Sequence, residues 1–161
     1  MAKMDEARRI LDQAFRTLLS KNYLTSVGKQ AADMIRLRTQ LGYGVPSDGK
    51  SREKLKPLSA AYKKVRKENP LNGNTSPSKS NLTRTGQLLS SIGVKSIQKD
   101  KVIIGPKGPR NDGETNERVG EFVSEKGRPF NNLSDVERKR LTETIRKDLQ
   151  QLLEKALVKL R

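Results

Sequence analysis

Cysteine, histidine and tryptophan are absent from the 161-residue chain, and tyrosine and phenylalanine occur only three times each. Without thiols or imidazoles there is no zinc finger, no haem ligation, no disulfide framework, no Ser-His-Asp triad and no imidazole acid–base catalyst. The chemical inventory is reduced to carboxylates, lysines, tyrosines and hydroxyls, so the chain is expected to be no enzyme and to need no cofactor. So few aromatics also leave little of the stacking platform on which RNA and single strands are held. Apolar residues make up 32% of the chain, which predicts a modest core and stability that leans on a partner. No apolar run approaches the ~20 residues of a membrane span. The opening MAKMDEARR has no secretory apolar stretch. A protein made in the cytoplasm, without membrane contact, is expected.

What the chain has in excess is positive charge: 34 Lys and Arg against 18 Asp and Glu, a formal +16. The excess is spread, with +4 over residues 1–40, +6 over 41–82, +4 over 83–113 and +2 over 114–161. Its densest group is Lys63, Lys64, Arg66 and Lys67. These four are candidates for electrostatic contact with DNA phosphates or an acidic protein surface. They equally describe the solvated face of a helix anchored by Leu58, Tyr62 and Val65.

Apolar spacing sets the elements. Ala7, Ile10, Leu11, Ala14, Phe15, Leu18 and Leu19 mark one helical face, and Val27, Ala31, Met34 and Ile35 another, so residues 5–40 read as mostly helical, with a possible break near Asn22 or Gly28. Leu55, Leu58, Tyr62 and Val65 predict a helix with Pro57 in its first turn, ending before Asn69-Pro70. Thr83 to Ile92 reads as a helical turn or two burying Leu88, Leu89 and Ile92, and residues 92–105 as a hairpin turning at QKDK. Val119, Phe122 and Val123 predict a short helix closed by Gly127. Ser134 and Glu137 form a capping box opening a long helix with Leu141, Ile145, Leu149, Leu152, Leu153, Ala156, Leu157 and Leu160 on one stripe. Part of that stripe is expected to meet the N-terminal helix or a neighbouring subunit. The expected class is α+β: amphipathic helices at both termini around a small antiparallel sheet, one domain over 1–161, with mobile polar loops near 41–54, 69–82 and 105–117.

One chemical motif matches by letter. Gly44 to Ser51 spells G-x-x-x-x-G-K-S, the phosphate-cradling loop. That loop needs a buried strand before it and a helix directly after it. A charged helical stretch precedes this one and Pro57 soon follows, so it reads as an ordinary polar loop. Asp112 with Glu114, and Glu121 with Glu125, offer carboxylates to a divalent ion. They lack EF-hand spacing and a third ligand, and no metal is expected.

The segments DMIRLRTQLGYGVPSDGKSREKLKPLSAAYKKVRK, LTRTGQLLSSIGV, KVIIG and GRPFNNLSDVERKRL follow one another over about residues 33–155. In that order they resemble the virion-morphogenesis and tail-completion family of tailed bacteriophages. L-x-x-T-G-x-L-x-x-S-I and G-R-P-F-x-x-L-S are the most specific pieces. The chain departs from the family pattern at Lys50-Ser51-Arg52 and Asn116-Glu117-Arg118, where apolar or aromatic residues are usual. The resemblance implies a structural subunit of the head–tail connector or tail-completion complex in the virion, assembled in the host cytoplasm as a homo-oligomeric ring around the DNA path. Portal, adaptor or other neck proteins and tail proteins are the implied partners, with non-specific DNA contact possible. It also implies structural or interface roles for Thr85, Gly86, Leu88, Ile92, Gly127, Arg128, Pro129 and Phe130. A basic nucleic-acid-binding protein is the alternative.

Overall fold

The computed structural model describes residues 2–71 and 76–158. It is an α+β fold with helices at both ends, as the sequence predicts. The order is α1 (Ala2–Leu18), α2 (Lys21–Gln40), β1 (Tyr43–Gly44), β2 (Glu53–Lys54), α3 (Ala60–Glu68), α4 (Gln87–Ser90), β3 (Ile92–Gln98), β4 (Lys101–Pro106), α5 (Asn116–Glu125) and α6 (Asp135–Val158). β1 pairs antiparallel with β2, and β3 with β4, as two separate sheets.

The N-terminal helical region breaks at Ser20, not at Asn22 or Gly28. Ser20 is extended and its hydroxyl accepts from the Tyr23 amide at 3.3 Å, which restarts the chain as α2. Gly28 stays helical for a packing reason. A Cβ there would lie 2.5 Å from Val94 Cγ2 and 2.8 Å from Val102 Cγ1, so its missing side chain lets the hairpin lie on α2. Ala31, Ala32 and Ile35 continue the buried face. Above them, Leu88, Leu89, Ile92 and Phe130 complete the core, flanked by Leu82, Ile104, Val119, Val123 and Leu133. The hairpin turns at Lys99 and Asp100 and carries a bulge at Lys95, between Val94 and Ser96.

The third helix begins later than its apolar spacing predicts. Ser59 caps it, accepting from the Tyr62 amide at 3.2 Å, and Pro57 lies outside it. Leu55 is buried beneath β1, its amide bonded to the Gly42 carbonyl at 2.9 Å, so the spacing from Leu55 to Val65 spans two different structures. The expected anchors Tyr62 and Val65 are exposed. The polar loops are also more docked than their composition predicts. Val45 is fully buried, Ser80 and Asn81 are buried, and Asn116 donates to the carbonyls of Lys107, Gly108 and Pro109. Residues 72–75 of the expected arm, and Leu160 of the last stripe, lie outside the described residues.

α6 runs back along α1, with Glu6 facing the Lys155 end. One turn into α2, the Tyr23 hydroxyl donates to Asp148 Oδ2 at 2.7 Å. Helix propensity alone predicts that Gly28→Ala stabilises the protein by about 1 kcal/mol. The packing predicts the opposite, a loss of about 1–3 kcal/mol from overfilling against Val94 and Val102, measurable by chemical denaturation.

Candidate functional site: a buried ionic junction and the surfaces it positions

Glu137 lies in the first turn of α6, where the expected capping box forms reciprocally. Its Oε2 accepts from the Ser134 amide at 2.8 Å, while Ser134 Oγ receives the Glu137 amide at 3.4 Å. The same carboxylate does more than cap. Arg38, projecting from the core face of α2, donates to Glu137 Oε2 and to the Phe130 carbonyl, both at 2.5 Å. Both side chains are 1–2% exposed, and Arg52 approaches Glu137 Oε1 at 3.4 Å from the rim. Burial lowers the Arg38 pKa from its ordinary value, and the Glu137 charge works against that fall. One carboxylate thus joins α2, the start of α6 and the chain at Phe130.

Around this pair the resemblance's segments meet. A Cβ at Gly44 would lie 2.0 Å from the Pro129 carbonyl oxygen, which accepts from the Val45 amide at 3.0 Å. Arg128 donates to the Lys56 carbonyl and Ser80 Oγ, each at 3.2 Å, and to the Pro57 carbonyl at 3.3 Å. Asn132 donates to the carbonyls of Val45 and Pro46. The turn delivering Arg128 is a left-handed C-cap: Gly127, at φ 79°, donates to the Ser124 carbonyl and Arg128 to that of Val123. Phe130 is wholly buried, which makes its role packing. Gly86, at φ 75°, starts α4 while Leu88 and Ile92 enter the core, and Thr85 remains exposed, its hydroxyl accepting from the Gln87 amide at 3.4 Å.

The four basic candidates on α3 separate. Lys64 and Lys67 are exposed, Lys64 within 3.7 Å of Glu68, and Lys63 is half-buried. Arg66 is 2% exposed and donates to the Lys79 carbonyl at 2.8 Å and to Asn81 Oδ1 at 3.4 Å. It fastens the returning loop and is therefore removed from the contact set. The phosphate-loop letters have no phosphate-loop geometry. The amides of Val45, Gly49 and Lys50 already donate to the Pro129 carbonyl, the Pro46 carbonyl and Asp48 Oδ1, and β2 follows where a helix is needed. Asp112 is held below the usual carboxylate range by its hydrogen bonds from Arg110. Glu121 and Glu125 are exposed on α5.

A surface that sequence spacing does not reveal lies between α2 and β3. Lys21, Lys29, Arg36, Lys95 and Lys107 line one groove with no carboxylate among its walls. Arg36 bonds the Ile92 carbonyl, and Lys107 the Val94 carbonyl at 2.8 Å, which blunts this edge of the hairpin; Arg36 is also paired with Asp33 at 2.5 Å and Lys95 with Glu117 at 3.9 Å. Lys21 and Lys29 form no ion pair among the described residues. These cations come from α2 and from either side of the hairpin, so only folding gathers them. Arg38 did carry a signal: it falls three residues after Ile35, on the apolar face of α2, where a charge requires a buried partner.

No helix among the described residues is long and apolar enough to cross a membrane. No family model, curated protein or solved structure matches the chain.

Removing one partner of the buried pair is expected to cost about 3–5 kcal/mol in Arg38→Met or Glu137→Leu. The double variant is expected to recover much of that loss, giving a coupling of about 1–3 kcal/mol in a denaturation cycle. Burial and the bond to Asp148 raise the Tyr23 pKa from 10.0 to about 12. A raised folded-state value means this contribution is complete below pH 10.0 and lost as pH rises through about 12. Ultraviolet titration should show a phenolate phase near pH 12 that disappears in Tyr23→Phe.

Proposed function

We propose that this chain is a non-enzymatic subunit of a phage head–tail connector or tail-completion complex, working by shape and adhesion in a ring around the DNA path. The observation that carries the reading is the convergence of its motif segments. LGYGV and LKPLS of the first segment and GRPF of the last come from distant parts of the sequence and bind one another through Gly44, Pro129 and Arg128. Their polar groups are spent on backbone contacts, which is how residues serve a scaffold.

The groove of Lys21, Lys29, Arg36, Lys95 and Lys107 supplies the adhesive face. Its walls also include Ile92, Val94 and Ile97 and no aromatic residue. Apolar patches among cations suit the acidic surface of a neck or tail protein better than nucleobases, which need stacking partners. DNA contact along the spread positive charge is the second reading, favoured by the +16 balance alone.

Phage heads and tails produced without this chain are expected to remain unjoined and to join when the purified chain is added, as counted by electron microscopy and infectivity. Binding to the neck or tail partner is expected to weaken with salt and to fall on the order of tenfold in Lys21→Glu/Lys29→Glu. Infectious particles that mature without the chain would overturn the reading. Tight DNA binding with no connector binding would favour the alternative.

A further inference from the structure

Charge is unevenly placed on the folded chain. The α2–β3 groove gathers Lys21, Lys29, Arg36, Lys95 and Lys107 with no carboxylate among its walls, whereas the groove between α1 and α6 has one acid, Glu6, and one base, Lys155. A molecule of +16 repels its own copies, and the end formed by α1 and α6 offers them a groove with charges of both signs. That end also exposes apolar surface. Met4, Leu11, Phe15 and Leu19 are 78%, 45%, 51% and 51% exposed along one side of α1 and its last turn.

The other side of α1 is concave. Between α1 and α6 lies a groove of about 340 Å³, with Ile10, Ala14, Leu152 and Ala156 along it and Glu6 and Lys155 among its walls. At about 100° per residue, the centre of the stripe and the centre of the groove are roughly 150° apart around α1. One helix thus carries large protruding side chains on one side and a trough containing two alanines on the other. Arg8 and Asp12 flank the stripe, and Glu6 and Lys155 lie on the trough, so both faces carry one charge of each sign.

We propose that the α1–α6 groove is the docking site for a second copy of this chain, which inserts its Met4–Leu11–Phe15–Leu19 stripe. Two different faces on opposite sides of a subunit make a heterologous contact, and repetition of such a contact closes as a ring or runs on as a filament. The occupant is a copy and not an acidic partner because this groove has one charge of each sign, whereas the cations that attract acids gather in the α2–β3 groove. Four side chains 45–78% exposed form a contact at the small end of specific interfaces, so free copies bind weakly and closure supplies the rest. This inference deepens the ring reading and rests on it for its biological meaning. Its test needs neither heads nor tails.

Sedimentation of the purified full-length chain is expected to show self-association that strengthens from about 0.05 M to about 0.5 M salt, as like-charge repulsion is screened. Phe15→Glu spoils the stripe and Ala156→Glu the groove, and each variant alone is expected to sediment as a monomer. Mixed, they retain one intact pair of faces and are expected to form a heterodimer and nothing larger, a rescue that misfolded chains cannot give. Arg8→Glu is expected to weaken assembly, with recovery on adding Glu6→Arg. A wild-type chain that remains monomeric in high salt overturns the proposal. So does normal assembly of Ala156→Glu beside a monomeric Phe15→Glu, which marks stripe-to-stripe pairing. Self-association without any effect on head–tail joining removes the connector reading and leaves this one standing.

Discussion

A single carboxylate, Glu137, settles how the two ends of this chain meet. It caps α6, receives Arg38 from α2 and thereby brings the Phe130 carbonyl to the same guanidinium. A chain that is 32% apolar cannot fix the register of its long helices by hydrophobic burial alone. A buried cation tolerates few positions, because each misplacement leaves a charge without its partner. The pair therefore contributes specificity of arrangement more than net stability. Gly44 and Arg128 follow from it: once α6 is placed, GRPF crosses the chain at Gly44, and Arg128 reaches the Lys56 and Pro57 carbonyls before α3 and Ser80 Oγ after it.

Fixing that register separates the molecule into regions with different uses. The body carries the positive surplus and gathers five cations along the α2–β3 groove. The α1–α6 end has a groove with one charge of each sign and bears both protruding and concave apolar surface. The proposed subunit binds its own kind and a different, acidic neighbour, and this arrangement would keep those two attractions apart. No catalytic group is needed for such work. The hydroxyls and carboxylates the sequence offers are largely engaged in caps, turns and ion pairs, as with Ser20, Ser59, Ser134 and Asp112.

Local chemistry was legible in the sequence. The capping box at Ser134, the helix end at Gly127, the hairpin over residues 92–105 and the burial of Leu88, Leu89 and Ile92 each depend on residues a few positions apart. Contacts across long separations were not. Pro57 looked like a helix start until Arg128, 71 residues away, claimed its carbonyl. Arg66 shared the basic pattern of its neighbours and differed only in facing Lys79 and Asn81. The loop at 41–54 read as mobile because Val45 says nothing by itself about the Pro129 segment above it. For the candidate surfaces, Lys63, Lys64 and Lys67 were visible as a run, whereas the α2–β3 groove exists only in three dimensions.

Native-state hydrogen exchange resolves the central claim residue by residue, because it reads the opening free energy of each segment. If the Arg38–Glu137 pair ties the ends together, the amides of Val45, Asp135 and the α6 turn through Leu141 open with the same free energy as the buried stretch of α2 from Ala31 to Thr39, and more slowly than α1. Rapid exchange over Asp135–Leu141, at the rate of the far end of α6 and with α2 still protected, would contradict it.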